Sequence, residues 1–175
     1  MRHTISVLVE NRFGVLARIA GLFSGRGFNI ESLTVSPTQD ETFSRMTIVT
    51  SGDDAVLEQV DKQLSKLVEV VNVSDLTGAG FVARELMMIK VRATSANRND
   101  IVQIANIFKA NIIHVEHDIL VIEVTGRSSK LDGFEDLMEP FGIVELARTG
   151  KVALAKASQV TGAVATGGTP ADEEQ

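Results

Sequence analysis

The residues best suited to chemistry lie in one short run, Glu10-Asn11-Arg12-Phe13-Gly14-Val15-Leu16. An amide side chain, a glycine and two apolar residues follow one another closely. The pattern places this run where an apolar strand, residues 4–9, hands over to an amphipathic helix. A helix start leaves backbone N–H groups with no intrahelical partner. A small anion can accept from them, helped by the helix dipole. Gly14 has no Cβ, so a ligand can come close to the backbone there. A second amide, Asn29, stands at the start of the next strand, followed by Ile30. Together these types suit a small zwitterion. Amides would hold its carboxylate, and side-chain or backbone oxygens its ammonium. Val15, Leu16 and Ile30 would meet a branched aliphatic side chain. One methylene in such a pocket is worth about 1–3 kcal/mol, so graded discrimination among aliphatic amino acids is expected. The plainer readings are a turn glycine at Gly14, an N-cap at Asn11 and an ordinary loop residue at Asn29.

Other candidate chemistry is thin, and no catalytic residue is assigned. The chain has no Cys, which excludes disulfides, thiolate catalysis and Cys-ligated metals. His114 and His117 are three apart on an expected strand, point to opposite faces and have no third ligand nearby, so no metal site is assigned. Gly78-Ala79-Gly80 lacks the downstream glycine and the strand-to-helix context of a dinucleotide fingerprint and reads as linker. Asp53-Asp54 fits a helix start, and Glu173-Glu174 fits a solvated tail. Ser128-Ser129 has no His or Asp in a nucleophile context. Met87-Met88 reads as core.

Composition narrows the class further. The 175 residues are 44% hydrophobic, enough to build a core, with 17 basic against 23 acidic residues and a formal net charge of −6. With no basic block, neither nucleic acid nor an anionic membrane is an expected partner. Tyr and Trp are absent, and most of the eight Phe fall at core-like spacings. No signal-peptide pattern opens the sequence, and no apolar run approaches the roughly 20 residues of a membrane span. A cytoplasmic location is expected.

The elements that must position the candidate site follow from periodicity. Ile5, Val7 and Val9 share one face of the strand at 4–9. Val15, Leu16, Ile19, Ala20 and Phe23 trace a helical stripe, which Gly25-Arg26-Gly27 ends. Strands follow at 28–35 and 43–50. The latter has Met46 and Ile48 on one face, Arg45 and Thr47 on the other. A second stripe runs through Val56, Leu57, Val60, Leu64 and Leu67, and a strand at 68–73 closes a βαββαβ unit. The order then repeats about 80 residues on. It gives a strand at 85–93, a helix at 97–109 with Ile101, Ile104, Ala105 and Phe108 inward, and strands at 112–117 and 119–125. A helix carrying Leu131, Phe134, Leu137 and Met138 and a last strand at 143–147 complete it. The expected fold is α+β, two tandem ferredoxin-like units: residues 1–77, a linker at 78–83, residues 84–157, and a disordered tail at 158–175. The second unit has Ser95-Ala96-Asn97-Arg98-Asn99 where the first has its glycine turn, so it need not bind the same ligand.

His3-Thr4-Ile5-Ser6-Val7-Leu8-Val9-Glu10-Asn11 followed by Gly14-Val15-Leu16-Ala17-Arg18 resembles the start of an ACT domain, a small-molecule regulatory module. Gly21 to Val35, with Asn29-Ile30-Glu31-Ser32-Leu33 at its heart, and Ser44-Arg45-Met46-Thr47-Ile48-Val49 are more specific. They resemble the small-subunit family of acetolactate synthase, over roughly the first 150 residues. The resemblance implies a regulatory subunit with no cofactor of its own. Its catalytic large subunit would be a separate chain carrying thiamine diphosphate, a divalent metal and often FAD. That chain condenses pyruvate with pyruvate or 2-oxobutyrate, the first committed step toward the branched-chain amino acids. The small subunit would activate it and confer feedback inhibition, usually by valine. ACT units of the family pair as homodimers, with the effector at the interface. Carried over, Asn11, Gly14, Val15 and Leu16 surround the effector from one chain, and Asn29 and Ile30 come from the other. Arg12-Phe13 fills a variable pair, and Phe13 either narrows the pocket or packs away from it. Valine, leucine and isoleucine all remain candidate effectors. The alternative is a stand-alone ACT-type sensor acting on another enzyme or a transcription factor.

Overall fold

In the computed structural model, residues 1–78 and 80–156 are described, Asp54 and Val56 by backbone alone. The expected tail, the centre of the expected linker at Ala79 and the place of Val56 in its stripe lie outside the described residues. The first sheet is built from β1 (Arg2–Glu10), β2 (Ile30–Pro37), β3 (Phe43–Ser51) and β4 (Val70–Asp75) in the order β2-β3-β1-β4. Both β1 and β2 pair antiparallel with β3, as β4 does with β1. Two helices, α1 (Val15–Ser24) and α2 (Asp54–Leu64), cover one face. The alternation of β1 aims Ile5, Val7 and Val9 at that face, opposite Ile48, Met46 and Ser44 of β3. Val15, Ile19 and Phe23 of α1 and Val60 and Leu64 of α2 complete the core. Phe23 is fully buried and meets Phe28 edge-on, centroids 6.5 Å apart.

The second unit repeats this plan. β5 (Phe81–Arg92), β6 (Asn111–Val115), β7 (Ile119–Gly126) and β8 (Ile143–Arg148) stand in the order β6-β7-β5-β8, the same order with each strand replaced by its counterpart. Two further helices, α3 (Arg98–Ile107) and α4 (Ser128–Met138), supply Ile101, Ala105, Leu131, Phe134 and Met138 to a second core with Met87, Ile89, Leu120 and Ile122. Phe108 stacks tilted on Phe134 at 5.2 Å.

Several expectations shift. β2 and β4 begin two residues later than periodicity placed them. β2 carries a register shift between Ile30 and Ser32, and β4 one where it faces Leu8 and Val9. Such bulges break simple alternation. Leu137, expected inward, is exposed. Residues 81–83, expected as linker, open β5. The chain also does not end its sheet at 147. A further strand, β9 (Val152–Ala155), pairs with the first part of β5, from Phe81↔Ala155 to Arg84↔Val152. β8 and β9 are in effect one strand along β5, interrupted at Thr149-Gly150-Lys151.

That interruption brings the units together. β9 lies against β1 on the face away from the first unit's helices, and the Ala153 N–H donates to Thr47 Oγ1 at 3.3 Å. Ala153 is 1% exposed, and Thr4, Ser6 and Thr47 are buried on the same sheet face. A sheet face that reads as polar is thus covered. Replacing Phe23 by Ala is expected to lower stability by about 3–5 kcal/mol, read as a lower urea midpoint with an unchanged slope.

Candidate functional site

The β1–α1 turn is held open from both sides. The Asn11 N–H donates to Thr42 O at 2.7 Å and its side-chain amide to Glu41 O at 2.9 Å. Asn11 is therefore tied to the β2–β3 loop and does not cap α1. The N-cap is Gly14, at φ 84°, ψ −10°, with no side-chain cap bond. This left-handed conformation strains any residue with a Cβ. Space is not the constraint, because a Cβ there would approach no atom nearer than Arg18 Nη2 at 3.9 Å. The first full helical bond runs from the Arg18 N–H to Gly14 O at 2.9 Å. The N–H groups of Leu16 and Ala17 precede it and point out of the helix end. Arg18 pairs with Glu69. Val15 is buried in the core, whereas Leu16 and Phe13 are exposed.

Asn29 and Ile30 lie at the other end of the sheet. Ile30 faces Thr50, and Thr50 faces His3, while Glu10 faces Phe43. The span from His3 to Glu10 is about 23 Å at the rise of a strand. Within one chain, then, the six expected site residues form two groups: Asn11, Gly14, Val15 and Leu16 at one end, Asn29 and Ile30 at the other. The Asn29 carbonyl accepts from Thr50 Oγ1 at 2.7 Å, which fixes the start of β2. β2 is an edge strand and carries exposed Val35. An edge strand with exposed apolar side chains nearby is a ready surface for pairing.

The equivalent turn of the second unit is filled. Arg98, at the start of α3, sends its guanidinium back to Ala93 O at 2.9 Å, to Glu116 O at 2.8 Å and to His117 O. A side chain of the protein occupies the position that Gly14 leaves open in the first unit. His114 bonds Glu116 at 2.9 Å and His117 bonds Asp118 at 2.8 Å. His117 lies beyond the end of β6, so the expected strand through it is shortened. Among the described residues no three His, Cys, Asp or Glu side chains stand together as a metal site, and no helix is long and apolar enough to cross a membrane.

Sequence reasoning missed a cleft of about 500 Å³ between the units, lined in part by Arg2, Glu31, Glu85, Arg148 and Lys151. Buried Glu85 accepts from Arg148 at 3.0 Å and from the Ser128 hydroxyl, and Arg148 also reaches Asp132 at 2.7 Å. Burial pulls the Arg148 pKa down, but the bonds to Asp132 and Glu85 outweigh it and the net direction is up. Glu31 is held below the usual carboxylate range by the Ser51 hydroxyl, with help from Arg2 at 2.6 Å. Glu85 with Arg148 and Glu31 with Arg2 pair across strands far apart in sequence, and no local pattern signals such a pair.

Comparison with known proteins follows the same division of the chain. Residues 5–72 match the family model described as AHAS small subunit-like ACT domain, and residues 84–157 the model described as small subunit of acetolactate synthase. The chain belongs to the acetolactate synthase small-subunit family. A relative from Archaeoglobus fulgidus, named "Probable acetolactate synthase small subunit", is 56% identical over 159 residues, covering 91% of this chain and 99% of the relative. The acetolactate synthase isozyme 3 small subunit of Escherichia coli is 47% identical over 161 residues, covering 91% and 99%. The crystal structure of the acetolactate synthase small subunit from Thermotoga maritima superposes with a TM-score of 0.82 at 41% identity, covering 89% of this chain and 98% of that one. In this small subunit Gly14 is expected to resist replacement for conformational reasons alone. Gly14→Ala should cost about 1–2 kcal/mol, and Gly14→Asn less, since Asn tolerates the left-handed region. Urea unfolding of the full chain measures both.

Proposed function

We propose that this chain is the regulatory subunit of an acetolactate synthase, activating a catalytic large subunit and conferring feedback inhibition by valine. Thiamine diphosphate, a divalent metal and any FAD belong to the catalytic chain in this reading. The observation that carries it is the split of the candidate site between the two ends of a sheet whose edge strand is β2. Antiparallel pairing of two β2 edges about a two-fold axis sets the start of one β2 beside the end of the other. That is the end at which the other copy's α1 begins. The Asn29–Ile30 segment of one copy then comes beside the Gly14 turn of its mate, and the two half-sites become whole. The exposure of Phe13, Leu16 and Val35 supports the pairing, because each lies where a second copy would cover it.

The chemistry of such a composite site suits an aliphatic α-amino acid. The Leu16 and Ala17 N–H groups and the helix dipole favour a carboxylate at the Gly14 turn. The Asn11 amide donates to Glu41 O, which leaves its carbonyl oxygen as an acceptor for an ammonium. Leu16 and Ile30 offer apolar surface for a branched side chain. For such a ligand to regulate, it must bind the two states of the complex with different affinity. A ligand that bridges two copies does so if the inhibited state is the one in which the copies fit it best.

Calorimetry of the full chain tests the reading. Valine is expected to bind saturably, and alanine about tenfold or more weakly, since it lacks two buried carbons at about 0.8 kcal/mol each. Gly14→Asp is expected to weaken valine at least tenfold or so through carboxylate against carboxylate, while activation of the catalytic chain survives. Gly14→Asn separates this from backbone strain. A Gly14→Asp chain with full valine affinity would place the effector elsewhere. Failure of the chain to co-purify with a large thiamine-dependent subunit would favour a stand-alone sensor.

A further inference from the structure

The strand that carries Ile30 is also the strand that the C-terminal unit grips. Ser32 and Thr34 follow on β2, opposite Val49 and Thr47 of β3, on the face away from the helices. Against them stands Lys151, in the interruption between β8 and β9. The Lys151 N–H donates to Ser32 Oγ at 3.2 Å, and Thr34 Oγ1 donates to Lys151 O at 2.8 Å. One residue's two backbone groups are thus held by two side chains of β2. The neighbouring Gly150 makes the approach possible. It has φ +81°, and a Cβ there would lie 2.1 Å from Ser32 Oγ and 3.3 Å from Ser32 Cβ. On its other side, Thr149 is bonded into β5, its N–H donating to Leu86 O at 3.0 Å. The contact therefore continues from β2 into the central strand of the second sheet.

We infer that this clasp carries the effector signal from the ACT interface to the C-terminal unit, and that Ser32, Thr34 and Gly150 are positioning residues for regulation, not ligand contacts. The inference rests on the effector reading above, because it needs Ile30 to sense the ligand. Between Ile30 and Ser32 lies the register shift at Glu31, whose side chain is anchored to Arg2 and Ser51. A bulge is where a strand can change its local twist without breaking the ladder on either side. Occupancy at Asn29–Ile30 changes the setting of this bulge, the Ser32 and Thr34 hydroxyls shift with the backbone, and Lys151 follows through its two bonds. The coupling element is a specific contact with two partners.

Hydrogen exchange read by mass spectrometry on the full chain, with and without saturating valine, separates the two readings. In the wild type, valine is expected to slow exchange in residues 28–37 and also in residues 148–155, the latter by about fivefold or more, the lower end of ordinary allosteric coupling. Thr34→Val removes the donor at nearly constant shape. It is expected to keep the first response and bring the second below about twofold. Reconstituted with the catalytic subunit, the variant should bind valine as the wild type does and be inhibited less. Gly150→Ala should act the same way more strongly if it folds, and Thr34→Val decides the matter if it does not. Wild-type slowing confined to 28–37 overturns the clasp and leaves the effector reading intact, as does a Thr34→Val chain that transmits fully. A wild-type chain that responds to valine nowhere overturns the effector reading, and the clasp with it.

Discussion

Because β1 and β2 both pair antiparallel with β3, they run parallel to each other. A parallel pair needs a crossover that returns the chain along the whole strand, and α1 is that crossover. Its start therefore lies at one end of the sheet and the start of β2 at the other. Every property of the candidate site follows from this. The helix end with free N–H groups and the amide at the head of β2 cannot meet inside one chain. Any ligand that needs both must be held between two. The exposed edge of β2 and the exposed Leu16 and Phe13 accord with the proposed pairing of two copies.

The two units show how little separates an open candidate site from a structural joint. Their strand orders agree strand for strand, and both tie the first turn to the loop of the neighbouring hairpin. In the first unit the tie is the Asn11 amide to Glu41 O. A left-handed glycine then opens the helix beyond it. In the second, the Ala93 N–H donates to Asp118 O at 2.8 Å, and Arg98 folds back over the gap onto three carbonyls. A guanidinium with five donors satisfies the acceptors that surround such a turn. The space that would admit a ligand is closed by the chain's own side chain.

Much of this could be read in the sequence, for reasons of period and punctuation. Ile5, Val7 and Val9 alternate cleanly because their sheet buries that face under helices, and Gly14 stands at a positive φ because the turn demands it. The failures are equally physical. Thr4, Ser6 and Thr47 are polar in type, yet β9 covers them, and neither the four residues of β9 nor exposed Val152 and Leu154 give a strong strand signal. β2 and β4 were displaced because each ladder carries a bulge near the strand start, where alternation fails. Asn11 has the right type for an N-cap, but a tertiary carbonyl at Glu41 holds its amide. Nothing local marks Gly150, because its partner, Ser32, is distant in sequence.

The strength of the contact between the units bears on what it can transmit. A hydrogen bond to a hydroxyl contributes about 0.5–1.5 kcal/mol net, because water competes for the same groups. The bonds of Lys151 to Ser32 and Thr34, with that of Ala153 to Thr47, are of this kind. Together they amount to about 1.5–4.5 kcal/mol, which overlaps the range of ordinary coupling free energies between sites, about 1–3 kcal/mol. They are strong enough to bias a choice between two arrangements. The pair of buried Glu85 and more exposed Arg148 serves a different purpose. Both its charges lie within the second unit, where separating them would leave a buried carboxylate without its charged partner. The pair ties β5 to β8 beside the clasp, so that in the proposed coupling a displacement of β2 is passed to both strands.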